Sequence, residues 1–148
     1  LRDAMTKYVR ATKKKVVVCA EMTYQLPLFD ELLIDKLPED VKPYVFKHEY
    51  WWPDECISFM RRAEALVSLE CHSVIMALAN GTPAFYVRQK EDTVKGQMYY
   101  DLGFADWVFE IDKTDGDIIY SRLMEIHNSP DAAGQHAMGA EQDNIQSP

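Results

Sequence analysis

Apolar residues along this chain occur in short, mostly uninterrupted runs, broken only by Ser68 and Glu110, that are separated by longer segments of mixed character. The runs occupy residues 16–20, 44–46, 65–69, 83–87 and 107–111. Continuous apolar runs of this length are typical of strands that are buried on both faces of a parallel sheet. The pattern therefore predicts five β-strands.

Between these runs the apolar residues recur every three or four positions, which is the spacing of a helix with one buried face. The predicted helices occupy residues 1–12, 28–37, 53–62, 72–80, 94–102 and 116–126. Pro53 stands in a first turn, where a missing N–H group costs nothing, and Gly81 and Gly103 follow predicted helix ends. Strands that alternate with helices favour parallel pairing through right-handed crossovers. We expect a Rossmann-like α/β domain over residues 1–128, with about five parallel strands and helices on both faces.

The two ends of the chain differ from this pattern. Residues 129–148 are rich in Ala, Gly, Gln, Asn, Ser and Pro and hold few apolar anchors. They predict a mobile polar tail, or a helix whose partner lies elsewhere. The chain begins with helical character and without an initiator Met, so we expect it to be a piece of a longer protein.

Composition narrows the class of protein. A formal net charge of -8 over 148 residues disfavours nucleic acid as a partner, because the surface repels phosphate backbones. Three widely spaced cysteines indicate reduced thiols in the cytoplasm rather than a disulfide framework or a metal site. No apolar run approaches the roughly 18 residues of a membrane span. The glycine-rich motifs that bind dinucleotides or nucleoside triphosphates are missing, as is the nucleophile elbow of hydrolases, so no cofactor is predicted.

The turn at residues 68–73 is the best candidate site. Ligands of open parallel sheets bind beyond the carboxyl ends of the strands, where helix N-termini converge. His72 enters the following helix almost directly after the strand, with Glu70 before it and Ser73 after it. A histidine in this position is either a general acid or base, an anion ligand, or a side chain that merely caps the helix. Cys71 is either a thiol activated by the helix N-terminus or a small buried residue, and the second reading is favoured.

Two further loops hold candidate binding residues. Trp51, next to Trp52, is either a stacking platform for a sugar or nucleobase or a cover for the edge of the core or for an interface. Arg88, Lys90 and Lys95 form an anion pocket if they lie beside His72, and a solvated loop otherwise.

A family resemblance adds to this reading. Residues 63–87 read AEALVSLECHSVIMALANGTPAFYV: an acidic residue, an apolar strand, a histidine that opens a helix, and Gly-x-Pro before the next strand. This order resembles the polysaccharide pyruvyl transferase family. The matched positions are Glu64, His72, Ala77, Gly81, Pro83 and the run 102–104, with Lys95 within one residue of the family's lysine.

The resemblance implies an enzyme of two glycosyltransferase-B-like domains that moves pyruvyl from phosphoenolpyruvate to a sugar of a cell-surface polysaccharide. This chain would be its C-terminal half, and an N-terminal domain would lie outside it. The family's arginine, which holds the anionic donor, is replaced by Glu70. A carboxylate repels the same anion, so the donor is either held by Arg88, Lys90 or Lys95 or is a different molecule.

Two alternatives follow from that replacement. Glu70 can accept hydrogen bonds from sugar or ribose hydroxyls, which suits a glycosyltransferase that uses a nucleotide-sugar donor and a saccharide acceptor. The other alternative is a degenerate, non-catalytic domain that binds a partner through the tryptophan loop and the polar tail.

Overall fold

The structure, a computed structural model, describes residues 1–131 and has a mixed α/β fold in which every strand pairing is parallel. The chain divides into two compact units. The first comprises Leu1–Trp52 and Gly116–Met124, and the second comprises Pro53–Asp115 and the described residues from Glu125 onward.

The helices and strands alternate as the sequence predicts. The α-helices are α1 (Arg2–Thr12), α2 (Leu26–Phe29), α3 (Pro53–Met60), α4 (Cys71–Ala79), α5 (Thr93–Asp101) and α6 (Gly116–Asn128). The strands are β1 (Val16–Cys19), β2 (Val45–His48), β3 (Leu66–Ser68), β4 (Ala84–Arg88) and β5 (Val108–Glu110). Short 3-10 helices occupy Thr23–Gln25, Lys42–Tyr44 and Ala105–Trp107, and a π-helical turn occupies Asp30–Ile34.

In the first unit, β1 and β2 pair in register from Val16 opposite Val45 to Cys19 opposite His48. Beside the pair, Val9 of α1 packs with Leu37 and Val41 in a small buried cluster. Apolar burial of this kind is what orders an amphipathic helix such as α1, because its polar face gains nothing from leaving water.

The prediction for residues 28–37 needs correction. Helical structure begins earlier, at Thr23, and ends at Ile34. Leu32, which the spacing placed on a buried face together with Phe29, Leu33 and Leu37, is exposed. Leu37 is buried, but it lies beyond the last helical turn and belongs to the cluster with Val41. The periodic spacing therefore combined residues of a helix with one residue of a turn.

In the second unit, β4 is the central strand, between β3 and β5. Successive side chains of a strand point to opposite faces, so Phe85 and Tyr86 cover different sides of this sheet. Phe85 packs against Trp107 and Phe109, with ring centroids 5.2 and 4.9 Å away. Tyr86 packs against Tyr99 of α5 on the other side at 4.9 Å. This unit therefore has aromatic side chains buried on both faces of its sheet.

The five predicted strands all form, but they do not make one sheet. Within residues 1–131 they fall into the pair β1–β2 and the triplet β3–β4–β5. A doubly wound sheet needs a continuous ladder of hydrogen bonds, so the Rossmann-like arrangement is not confirmed. Each residue of β1 is half-buried, whereas the apolar run predicted burial on both faces.

Two other predictions concern a membrane span and the polar tail. No helix within residues 1–131 is long and apolar enough to cross a bilayer. Of the predicted polar tail, residues 132–148 lie outside the described part, and α6 ends at Asn128 immediately before the tail begins. The domain boundary at residue 128 stays a prediction.

Candidate functional site

The turn between β3 and α4 is held by one serine and one glutamate. The Ser68 hydroxyl accepts a hydrogen bond from the Glu70 amide at 2.8 Å and donates one to the Glu70 carbonyl at 3.1 Å. Glu70 then takes an extended backbone conformation as the N-cap of α4, and its carboxylate accepts from the His72 amide at 3.3 Å. Carboxylates are preferred caps because they satisfy N–H groups that the first helical turn leaves without partners.

The side chains of Glu70, Cys71 and His72 converge outside this first turn. His72 Nδ1 lies 2.5 Å from Glu70 Oε1. The Cys71 thiol donates to the same oxygen at 3.3 Å, and its Sγ is 3.7 Å from His72 Nδ1. The Cys71 residue is 4% exposed, whereas the side chains of Glu70 and His72 are 25% and 69% exposed. The cluster thus has one buried member and one that projects into solvent.

The ionisation of the cluster follows from these contacts. Burial raises the pKa of Glu70, but hydrogen bonds from His72 and Cys71 outweigh it, so the pKa is lowered overall. Burial, together with the neighbouring Glu70 carboxylate, raises the pKa of the Cys71 thiol. The carboxylate is therefore ionised and can only accept, which makes His72 Nδ1–H the donor of their shared hydrogen bond. In the neutral imidazole the lone pair then lies on Nε2.

A buried tyrosine, which the sequence analysis did not single out, stabilises the same turn through a hydrogen bond. The hydroxyl of Tyr99 in α5 donates to the main-chain carbonyl of Cys71 at 2.6 Å. Tyr99 is almost fully buried, and that burial raises the pKa of its phenol, so it stays a neutral donor. The signal for this contact was weak, because adjacent Tyr99 and Tyr100 look alike in the sequence.

Arg88 lies at the end of β4, but its guanidinium is engaged elsewhere. It donates to Glu110 at 2.9 Å, to the carbonyl of Thr93 at 3.4 Å, and lies over the ring of Tyr100. Hydrogen bonding to Glu110 raises the pKa of Arg88. The predicted role of Arg88 in an anion pocket would require this ion pair to open.

The two predicted lysines that follow β4 differ in their surroundings. Lys90 extends into solvent, with its side chain 81% exposed, and its ammonium pairs with Asp112 at 2.9 Å. Lys95 is exposed on α5, and its positive charge acts on the Cys71 thiol, whose pKa it lowers against the larger effect of burial. Of the three predicted cations, Lys95 is thus the one whose charge reaches the Glu70–Cys71–His72 cluster.

The remaining predicted residues are Ser73 and Trp51. Ser73 is half-buried in the first turn of α4, directly after His72. Trp51 belongs to the first unit, where its ring contacts His48 with centroids 4.8 Å apart. Its neighbour Trp52 is the more open of the two, with 75% of its surface exposed. The tryptophan that contacts solvent most is therefore not the one chosen from the sequence.

No protein-family model matches this chain, and no curated protein or solved structure matches it. The likeness to the pyruvyl transferases therefore still depends on the residues alone. Chemically, the cluster offers an oriented imidazole for proton transfer, and its carboxylate, thiol and imidazole are also donor types that bind metal ions.

Proposed function

We propose that the turn at residues 68–73 is the acid–base site of a transferase that moves a pyruvyl group from phosphoenolpyruvate to two hydroxyls of a sugar. The observation that carries this proposal is the 2.5 Å hydrogen bond between His72 Nδ1 and Glu70 Oε1. A carboxylate that accepts from one ring nitrogen orients the imidazole and leaves the other nitrogen to accept a proton. The exposure of the His72 side chain supports access of a substrate to that nitrogen.

The transfer needs a base. Two sugar hydroxyls add to the enol carbon of phosphoenolpyruvate and phosphate leaves. One hydroxyl proton ends on the methylene carbon, which becomes a methyl group, and the other ends on phosphate. In this proposal His72 Nε2 takes a hydroxyl proton, and Glu70 is the positioning residue that holds the ring. General acid–base catalysis of this kind contributes roughly 10²–10⁴-fold to a rate.

The donor anion needs a cation in place of the arginine that the resemblance leads one to expect. Lys95 is the best supported residue for this role, because its charge already acts on Cys71, while Arg88 and Lys90 are paired with Glu110 and Asp112. An ammonium binds a phosphate or carboxylate as a point charge and does not need the planar fork of arginine. Ser73, in the same first turn, is proposed to add a hydroxyl donor.

The binding step can be tested by thermal denaturation of the chain with phosphoenolpyruvate and, separately, with UDP-, GDP- and CMP-sugars. A ligand that binds only the folded state raises the melting temperature. We expect phosphoenolpyruvate to raise it and Lys95→Ala to remove the increase. Stabilisation by the nucleotide-sugars alone would favour a glycosyltransferase that uses them as donors.

The transfer step is tested by assaying phosphate release with saccharide acceptors, in the longest form of the protein that contains this chain. We expect His72→Gln to lower kcat by about 10²-fold or more. The matched control is His127→Gln, because Nδ1 of His127 also pairs with a glutamate, Glu64, at 2.6 Å. Transfer that His72→Gln leaves undiminished would remove the imidazole from the mechanism.

A further inference from the structure

The Glu70–Cys71–His72 cluster brings three different kinds of metal donor close together. One carboxylate oxygen, one sulfur and one imidazole nitrogen all lie within 4.8 Å of one another. They come from consecutive residues at the N-cap and first turn of α4, so the helix itself fixes their spacing. We propose that these three side chains bind one Zn²⁺ ion, with the fourth coordination position open to solvent.

The observed distances can be compared with those of a tetrahedral zinc site. Usual zinc–ligand lengths place sulfur about 3.5 Å from a nitrogen or oxygen ligand, and nitrogen about 3.3 Å from oxygen. The sulfur is 3.7 Å from His72 Nδ1 and 3.3 Å from Glu70 Oε1, so two edges of the tetrahedron are already formed. Only the 2.5 Å edge between Nδ1 and Oε1 must widen. Binding releases the Cys71 thiol proton to solvent and moves the ring proton of His72 from Nδ1 to Nε2, so the two side-chain hydrogen bonds to Glu70 are replaced by three metal bonds. The widening itself needs only the exposed His72 ring to turn.

Charge and ligand type favour zinc over the harder cations. A carboxylate and a thiolate together neutralise the charge of a divalent ion. Without them that charge would lie uncompensated beside the buried Cys71, which is costly. Thiolate and imidazole ligands select zinc and similar metals, whereas Mg²⁺ and Ca²⁺ require oxygen ligands. Lys95 is the nearby positive charge that opposes the ion, and its flexible side chain is exposed.

The number of ligands indicates the kind of site. Structural zinc sites are closed by four protein ligands, whereas three ligands leave a position for water or substrate. The exposed His72 side chain lies on the open side of this cluster, so an ion has an entry path. The zinc form does not depend on the proposed pyruvyl transfer. It uses His72 Nδ1 for the metal, so it is an alternative to the pair in which Glu70 holds the ring.

Cobalt substitution tests the site directly on the whole reduced chain. Metal-stripped protein is titrated with Co²⁺, and Zn²⁺ is then added to displace it. We expect one equivalent to produce a thiolate-to-cobalt charge-transfer band in the near ultraviolet and the intense visible bands of four-coordinate cobalt. Zinc should abolish both. This readout is independent of any transfer assay.

Variants identify the ligands. Cys71→Ser should abolish the charge-transfer band, while Cys19→Ser and Cys56→Ser, the matched thiol controls, should keep it. His72→Gln and Glu70→Gln should each weaken cobalt binding by at least about tenfold. A cobalt complex without the thiolate band, or a band that persists in Cys71→Ser, would overturn the proposal. If Cys71→Ser does not fold, as judged by circular dichroism, unchanged affinity in His72→Gln and Glu70→Gln would overturn it instead.

Discussion

The hydroxyl of Tyr99 lies 2.6 Å from the main-chain oxygen of Cys71 and donates a hydrogen bond to it. Through this contact α5 holds the first turn of α4, in which the Glu70–Cys71–His72 cluster is built. Both groups are buried, so water cannot replace either partner if the other is lost. The Cys71 carbonyl, at the first residue of α4, also accepts the intrahelical bond, so the Tyr99 hydroxyl adds a second hydrogen bond to it.

Tyr99→Phe removes only the donor and keeps the ring that packs on Tyr86. We expect the free energy of unfolding to fall by about 0.5–1.5 kcal/mol, because one buried hydrogen bond is lost while the Cys71 carbonyl keeps its bond within α4. Urea denaturation measures the change. Tyr24→Phe is the control, since Tyr24 is 69% exposed and its substitution should stay within about 0.5 kcal/mol of wild type. Equal effects of the two substitutions would contradict the role given to the Tyr99 hydroxyl.

Gly96 is required by the path of the Arg88 side chain. A Cβ atom on Gly96 would overlap Arg88 Nε and lie 2.5 Å from its Cδ, and these atoms are held in place by the pair with Glu110. We expect Gly96→Ala to lower the free energy of unfolding by about 1–3 kcal/mol, as overpacking usually does. The loss should occur although alanine is the better helix former.

The control for this prediction is the same substitution without the arginine. In an Arg88→Ala background no clash remains, and Gly96→Ala should stabilise α5 by up to about 1 kcal/mol. A double-mutant cycle by chemical denaturation compares the two backgrounds. A cost of Gly96→Ala that is the same in both would show that Arg88 is not its cause.

Arg88 also illustrates what the sequence left open. Its place at the end of β4 and its charge were evident from the pattern of residues 83–87. Its partner was not, because Arg88 meets Glu110 only through the register of the β4–β5 ladder, in which the two are opposite each other. A register is set by packing between strands that are far apart in sequence. The sequence therefore predicted a free cation where the structure has an ion pair.

The sheet and the turn show the same difference between features set by local sequence and features set by contacts between distant residues. The apolar runs predicted five strands, and these form, because local burial decides whether a short run becomes a strand. Whether β1 pairs with another strand besides β2 depends on distant contacts, and the single sheet was wrongly expected. The turn at residues 68–73 was predictable because the strand before it and the helix after it are each encoded locally. The cap was considered only for His72, whereas the structure has Glu70 in that role. The support from Tyr99 comes from another helix and left no local signal.

The Arg88–Glu110 pair makes stability depend on pH. Hydrogen bonding from Tyr100, and then from Arg88, lowers the pKa of Glu110 below its ordinary value of 4.5. The folded chain thus binds this proton less readily than the unfolded chain, so the pair stabilises the fold above the ordinary pKa. That contribution is lost as the pH falls through the lowered pKa.

Comparison of Glu110→Gln with wild type isolates this effect. The difference in their free energies of unfolding should be largest near neutral pH and should shrink as the pH falls below 4.5. In Tyr100→Phe the largest cause of the lowered pKa is gone, so the decline should be smaller and should be complete at a higher pH. A Glu110→Gln difference that does not change between neutral and acidic pH would argue against the pair as its source.

Thr82 fixes the end of α3 to the turn that precedes β4. Its buried hydroxyl donates to the carbonyl of Met60, the last residue of α3, at 2.8 Å. Thr82→Val keeps the branched shape and removes this hydrogen bond, while the Met60 carbonyl still accepts from the Ala63 amide at 2.9 Å. We therefore expect a loss of about 0.5–1.5 kcal/mol in the free energy of unfolding. Thr82→Ser retains the hydroxyl and should recover part of the loss. Thr93→Val, at an exposed position in α5, is the matched control and should change stability by less than about 0.5 kcal/mol. If the serine variant were no more stable than the valine variant, packing of the lost methyl group rather than the hydrogen bond would account for the role of Thr82.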